Sequence, residues 1–502
     1  MGRSYQQSIN MRIIPFSLEE GGLVTSEILE SDNESTWTCC FPEGKTNDGL
    51  TRINMDDIIW CKKAGAENDG GNLYDIDYVE TDKDKVELKL VRGLIKIKSR
   101  EYRRLDSEID SENDLSEEIL KKAYLEGKYR KSILVLINPH GGRGNAKEIY
   151  TKMVYPILKA ANVAVTYKET EYRGHAIEIA KSLDCDKYDI VACCSGDGIP
   201  HEVINGFYQR PDRGIKAFSK VAIAQLPCGS GNALALSTFG TNCSDLATVS
   251  MLKAKRAKMD LMAVTQFKGS EQITQLSFLS QSYGIIAEAD LLTEHLRLLG
   301  SSRFDIGVAQ RILKRETYPC DIYVKLATKS KEELLHHYCQ HYYGAKELDA
   351  AVEISHVPDF PLNKSVTSDW VRLPDEIASN VTVCFVGKLP YISEGVQFFP
   401  AALPADGSMD MVIATNELSI FELIKVFLTV EKGTHVHDDK IHHYKVYGYK
   451  LIPKLPKNRT SCLSVDGENF PFVPYQVEIL PSLLTFLLHD NKFTETHFSG
   501  LL

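Results

Sequence analysis

From Lys131 onward, apolar runs of strand length stop abruptly at turns, most of them glycine-rich, and each turn leads into a helix-like run. Ile133 to Ile137 ends in Asn138-Pro139-His140-Gly141-Gly142-Arg143-Gly144-Asn145, before a helix from Ala146 towards Leu158. Val163 to Tyr167 leads through Thr170-Glu171-Tyr172-Arg173-Gly174-His175 into a helix ending near Leu183. Tyr188 to Cys194 meets Ser195-Gly196-Asp197-Gly198-Ile199-Pro200-His201-Glu202, and Val221 to Gln225 opens onto Leu226-Pro227-Cys228-Gly229-Ser230-Gly231-Asn232. Strands alternating with helices of this length predict a parallel sheet with right-handed crossovers. Ligands of such sheets bind beyond the carboxyl ends of the strands. The turns at Gly141, Gly196 and Gly229 therefore belong to one rim.

That rim suits a polyphosphate. Glycines let backbone approach a ligand closely, Pro200 fits the first turn of a helix, and free amides at a helix start favour phosphate. Asp197 is the anomaly, because a carboxylate beside phosphate is repelled unless it holds Mg²⁺ or takes a proton. Its alternative role is to cap the following helix. The first turn is neither a dinucleotide fingerprint nor a Walker loop. ATP fits better than NAD, since no acidic residue follows that turn in the ribose-binding pattern.

The totals narrow the class. A chain of 502 residues predicts two to four domains. A formal net charge of −10 argues against nucleic-acid binding. No apolar run reaches the eighteen or so residues of a spanning helix, and the amino terminus lacks a signal peptide's apolar core. The twelve cysteines form no paired C-x-x-C modules, and no metal-ligand set is legible. The expectation is a cytoplasmic protein with reduced thiols.

Residues 1–105 read as a small β-rich region, with strands such as Val86 to Val91 and Leu94 to Ile97 and a turn at Asn68 to Asn72. Cys39 and Cys40 lie among aromatics, where they are either buried thiols or sites of S-acylation. Residues 106–130 read as an acidic linker running into a short charged helix near Tyr129. After Asp260 the alternation fails and strand-like runs follow one another, which makes 131–262 one domain and 263–490 a mostly antiparallel second one. Lys331 to Trp370 reads as a helical or disordered insertion. Asp406-Gly407-Ser408-Met409-Asp410 reads as a turn at a strand start, with a metal site as the alternative. His442 and His443 read as surface residues. The leucine-rich stretch from Leu291 to Leu299 is either a core helix or a lipid gate.

Asn138-Pro139-x-Gly141-Gly142-x-Gly144, Ser195-Gly196-Asp197-Gly198 and Leu226-Pro227-x-Gly229-Ser230-Gly231-Asn232 resemble the diacylglycerol-kinase-type lipid kinases. Ser-Gly-Asp-Gly-x-x-His-Glu-Val-x-Asn-Gly from Ser195 is closest to sphingosine kinases, and Ile199-Pro200 with Leu226-Pro227-Cys228 to fungal long-chain base kinases. The similarity runs from about Lys131 to Tyr475. It implies a parallel-sheet nucleotide-binding domain followed by a β-sandwich whose late segment returns to the nucleotide site. It implies ATP and Mg²⁺ as cofactors, a sphingoid base as substrate and Asp197 as general base and ATP contact; the alternatives are a ceramide or diacylglycerol kinase of the same fold, or a non-catalytic lipid-binding protein. By the same resemblance, ATP meets Asn138, Pro139, His140, Thr170, Glu171, Tyr172, Arg173, Gly174, Ser195, Gly196, Glu202, Gly229, Ser230, Gly231, Arg297, Arg303, Asp466, Gly467 and Glu468. Glu468 is also a rival base. Asp290 and Ser195 are implied to meet the lipid head group. A lipid substrate further implies peripheral attachment to a membrane (endoplasmic reticulum, Golgi, endosome or plasma membrane), assisted by acylation at Cys39 or Cys40. A homo-oligomer is left open.

Overall fold

The computed structural model describes residues 14–19, 22–25, 51–66, 72–82, 87–97, 115–125, 127–268, 270–292, 307–308, 311–344, 357, 369–456, 459, 461–489 and 491–501. Cys39, Cys40, Arg297, Arg303 and the turn at 68–71 lie outside the described residues, as do 293–300 of the leucine-rich stretch.

Four strands, Ala164–Glu169, Ser132–Ile137, Ile190–Ser195 and Ala222–Pro227, lie side by side in that order. The last three run parallel, with Ile133 and Ala222 both opposite Ile190. Their residues are almost all buried, as expected for strands covered on both faces. Because the strands are parallel, every turn after them opens on the same rim. The expected α/β layout is therefore present, with helices His175–Lys181, Gly198–Tyr208 and Ala233–Phe239 following successive strands.

The sheet does not stop at Ala222–Pro227. The late strand Tyr475–Leu488 lies beside it in parallel, with Ile223 opposite Phe486. Its other edge pairs antiparallel with Lys255–Lys268, while on the edge that meets Ile223 its first residues, Tyr475 to Glu478, pair antiparallel with His442–Pro453. Met409–Thr415, Val381–Gly387 and Ser280–Gly284 extend the antiparallel part to a terminal hairpin, Leu463–Val465 and Glu468–Phe470. A strand near the carboxyl end thus joins the parallel and antiparallel halves. Its apolar residues Leu480, Leu484 and Phe486 pack with Val191, Phe207 and Ile223 in one core, while Val477 belongs to the other.

The expected turn at Asp406–Asp410 leads into the strand Met409–Thr415, and its acids are bound by protein cations. Asp406 accepts from Lys388 at 2.5 Å and Lys445 at 2.8 Å, and Asp410 accepts from Lys445 at 2.7 Å. Asp260 pairs with Lys388 at 2.6 Å. The expectation for His443 is corrected here. It is 4 % exposed and its Nε2 meets Asp410 at 2.7 Å, because its strand position points inward and Asp410 satisfies the ring. Lys331–Gly344 is helical, the helical alternative for the start of that insertion.

The amino-terminal unit is a separate six-stranded sheet ordered Thr51–Asn54, Gly22–Thr25, Ile14–Glu19, Glu87–Ile97, Asn72–Asp82, Ile58–Ala66. The two short runs expected at 86–97 form one strand, paired along its length with Asn72–Asp82. The helix Leu115–Ala123 begins inside the expected acidic linker, burying Ile119 and Leu120, and ends before Tyr129. Tyr124, just beyond it, donates its hydroxyl to the Ile59 carbonyl at 2.8 Å.

Candidate active site

The three glycine turns touch. A Cβ on Gly229 would lie 2.2 Å from the Gly196 Cα, and one on Gly142 would lie 2.7 Å from the Cys228 carbonyl oxygen. Gly142 also has φ of +55°, which disfavours any side chain. These contacts explain why the turns need glycine, and they bring the amide-rich backbone of all three to one place.

Asp197 sits at the centre. It occupies the position before the helix Gly198–Tyr208 but makes no side-chain bond to that helix. Its carboxylate instead closes the start of a different helix. Oδ2 accepts the Ala233 amide at 3.0 Å, and Oδ1 accepts the Leu234 amide at 3.3 Å and the Gln225 Nε2 at 3.1 Å. Gln225 is fixed in turn, since its Oε1 accepts the Ala235 amide at 2.8 Å. Among the described residues no lysine or arginine pairs with Asp197. Burial pushes the carboxyl up to about 6, against the opposing pull of the Ala233 and Leu234 amides and Gln225.

The other acids are held differently. Asp466, with φ of +51°, accepts the Ser277 hydroxyl at 2.6 Å and the amides of Phe278, Leu279 and Ser280. It also meets His201 Nδ1 at 2.8 Å. Burial works against protonation of His201, yet the Asp466 bond and charge raise its pKa above the ordinary value. Asn205 bonds both the amide and the carbonyl of Leu276. The histidine and asparagine of the central motif therefore tie its helix to the strand Glu271–Ser277 and to the late hairpin. Glu202 accepts the amides of Gly174 and Ala176, at 2.8 and 3.0 Å, and so anchors the neighbouring turn. Glu468 pairs with Arg173.

A cavity of about 1050 Å³ runs over this rim. At the polar end it is lined by Asn138, His140, Thr170, Tyr172, Arg173, Gly196, Asp197, Glu202, Gly229, Ser230, Gly231, Asp466, Gly467 and Glu468. Its apolar lining comes from Ile286, Val308, Ile312, Phe385, Val396, Phe398 and Phe427. Asp290 lies in the same lining, and its Oδ2 accepts the Ser464 hydroxyl at 2.7 Å. It is the sixth residue of the helix Ile285–Leu292, not its cap, because the helix starts directly after Gly284.

Pro139, Glu171, Gly174 and Ser195 are not in the lining. Ser195 is fully buried and its Oγ donates to the Gly196 carbonyl at 2.8 Å. Sequence reasoning missed Gln225, Ser464 and most of the apolar wall. Gln225 had a signal, a polar residue inside an otherwise apolar strand. Apolar wall residues have none, because a core leucine and a cavity leucine look alike in sequence.

Residues 132–264 match the Diacylglycerol kinase catalytic domain, and 371–488 match the YegS C-terminal NAD kinase beta sandwich-like domain. The chain is 41% identical to Sphingoid long chain base kinase 5 of Saccharomyces cerevisiae, over 79% of this chain and 64% of that protein's length. It is 31% identical to Sphingoid long chain base kinase 4 of Schizosaccharomyces pombe, over 90% of this chain and 91% of the relative. Human Sphingosine kinase 1 is 30% identical over 70% of this chain and 89% of its own. With glycine turns, the acid between them and late returning strand all present, the chain belongs to the family of sphingosine and sphingoid long-chain base kinases.

Proposed function

We propose that the chain transfers the γ-phosphoryl group of ATP to the primary hydroxyl of a sphingoid long-chain base. The observation that carries this reading is one cavity that joins the glycine rim and Asp197 to an apolar wall bearing Asp290. The rim matches a polyphosphate, the wall matches an alkyl chain, and Asp290 offers a carboxylate to an ammonium group.

Asp197 accepts the hydroxyl's hydrogen bond and orients its oxygen towards the phosphorus. A primary hydroxyl is too weak an acid to be ionised beforehand, so the proton reaches Asp197 late, as the hydroxyl oxygen bonds to phosphorus and the β–γ bridging oxygen departs with ADP, taking the electron pair. A carboxylate whose pKa has risen to about 6 is a better acceptor than an ordinary one and is still ionised at neutral pH. The amides around Gly196 and Gly229 stabilise charge on the phosphate oxygens. Arg173 adds a cation at the rim, balanced by Glu468. Mg²⁺ fits the site through ATP's own oxygens and one or two carboxylates, and Glu468, at the polar end of the cavity, would hold it. When bound, Mg²⁺ neutralises charge on the phosphates. Arg297 and Arg303 stay assigned to the phosphates by resemblance alone.

The substrate is drawn from a bilayer. No helix among the described residues is long and apolar enough to cross a membrane, and the proposed attachment is peripheral, with acylation at Cys39 or Cys40 on the cytoplasmic side. Labelled ATP offered with a long-chain base, a ceramide and a diacylglycerol tests the reading. Phosphate should appear on the long-chain base; transfer only to ceramide or diacylglycerol, or to none, would refute it.

A further inference from the structure

The three most exposed large hydrophobic residues among those described are Phe421 at 84 %, Leu428 at 74 % and Leu313 at 69 %. They are not scattered. Phe421, Ile424 and Leu428 follow one another at spacings of three and four on the helix Ile420–Thr429, so they form one stripe. The opposite face of that helix buries Leu423 and Val426 in the core. A helix apolar on both faces belongs in an interior, yet among the described residues only the inner face of this one is covered. Its start is firmly built: Ser419 and Glu422 exchange side-chain and backbone bonds in a capping box, and Lys440 ties Glu422 down at 2.6 Å. The stripe is therefore held in a fixed helix.

Its location points to the occupant. Ile424, Leu428 and Leu313 are exposed and also line the cavity, so the apolar wall continues out to the surface at this point. Lys425 on the helix, Lys432 just after it, and Lys314 and Arg315 beside Leu313 are exposed. The exposed acids Glu394, Glu417 and Glu431 stand near these four cations, and apolar side chains with lysines and an arginine at their border match the surface of an anionic bilayer.

We infer that the outer face of Ile420–Thr429, with Leu313, docks on an anionic membrane and sets the cavity mouth against it. This rests on the lipid-kinase reading, because the docked cavity needs a substrate that lives in the bilayer. The stripe enters the acyl boundary, the lysines and Arg315 stay at the head groups, and the alkyl chain passes along Leu428 and Ile424 without crossing water.

The test is flotation of the full chain with phosphatidylcholine–phosphatidylserine vesicles that contain no substrate, using Phe421→Ser, which lies outside the cavity lining. Loss of a buried phenylalanine should weaken vesicle binding by roughly tenfold or more, and Lys425→Ser should weaken it further only at low salt. With a long-chain base dispersed in detergent, Phe421→Ser should keep the wild-type rate; with the base in vesicles its KM should rise by about the same factor. Equal flotation of wild type and Phe421→Ser overturns the proposal. So does a wild-type dimer that Phe421→Ser converts to monomer while vesicle binding stays unchanged, since the face would then join two copies. Absence of any transfer in detergent would instead strike the kinase reading, independently of flotation.

Discussion

Asp406 is buried among strands and Asp197 is half-buried at the cavity floor, and their surroundings send the two carboxylates in opposite directions. Asp406 would be raised by burial, but the ammonium groups of Lys388 and Lys445 hold it well below the usual carboxylate range. Among the described residues Asp197 has only amide partners, and burial raises it to about 6. One acid has its charge cancelled by the protein and fastens strands together. The other is left with a charge that only a ligand can use. An acid denied a cation is the mark of a site, whereas a buried acid given two is part of the framework.

Breaking each acid should expose the contrast. The largest effect is expected at Asp197→Asn, where turnover should fall ~10²- to 10⁴-fold, the usual contribution of a general base. ATP binding, followed by titration calorimetry, should persist. Near-normal turnover would transfer the role to Glu468.

Asp406→Asn should do the reverse. It leaves two buried lysines short of charge and should cost ~3–5 kcal/mol of stability in a denaturant melt, while the protein that remains folded keeps its KM values. The pH trends also differ in sign. Asp406 has a lowered pKa, so its stabilisation is present above pH ~4 and fades as acid takes the pH towards its folded value. Asp197 has a raised pKa, so its contribution favours the folded state below pH ~4 and is lost as pH rises through about 6. The stability gap between wild type and Asp406→Asn should therefore close in acid.

Asp290→Asn should have a smaller, selective effect. It should raise KM for long-chain bases by roughly ten- to a hundredfold, or ~1.4 to 2.8 kcal/mol, and hardly move KM for ATP. Equal losses for both substrates would place Asp290 in the fold.

Much of this contrast was legible before any coordinates. The Asp197 turn announces itself because local constraints act together there, with glycine, proline and an acid at a strand-to-helix switch. The parallel order follows from the same local alternation. The Asp406 cluster was not legible, because Asp260, Lys388, Asp406 and Lys445 are scattered along the chain and only pairing between distant strands assembles them. His443 was misread for that reason, since its partner Asp410 lies on a neighbouring strand. The junction made by Tyr475–Leu488 is equally non-local, as nothing in its own residues says that it lies beside Ile223.

The central claim is that the raised carboxylate of Asp197, with no cationic partner among the described residues, takes the proton. The pH dependence of kcat/KM for a long-chain base at saturating ATP tests it most directly. Below its pKa Asp197 carries a proton and cannot accept another, so the wild-type profile should fall away in acid with a midpoint near 6. Asp197→Asn should lie far lower and lack that limb. A wild-type profile flat down to pH 4.5, or the same limb surviving in Asp197→Asn, would contradict the account.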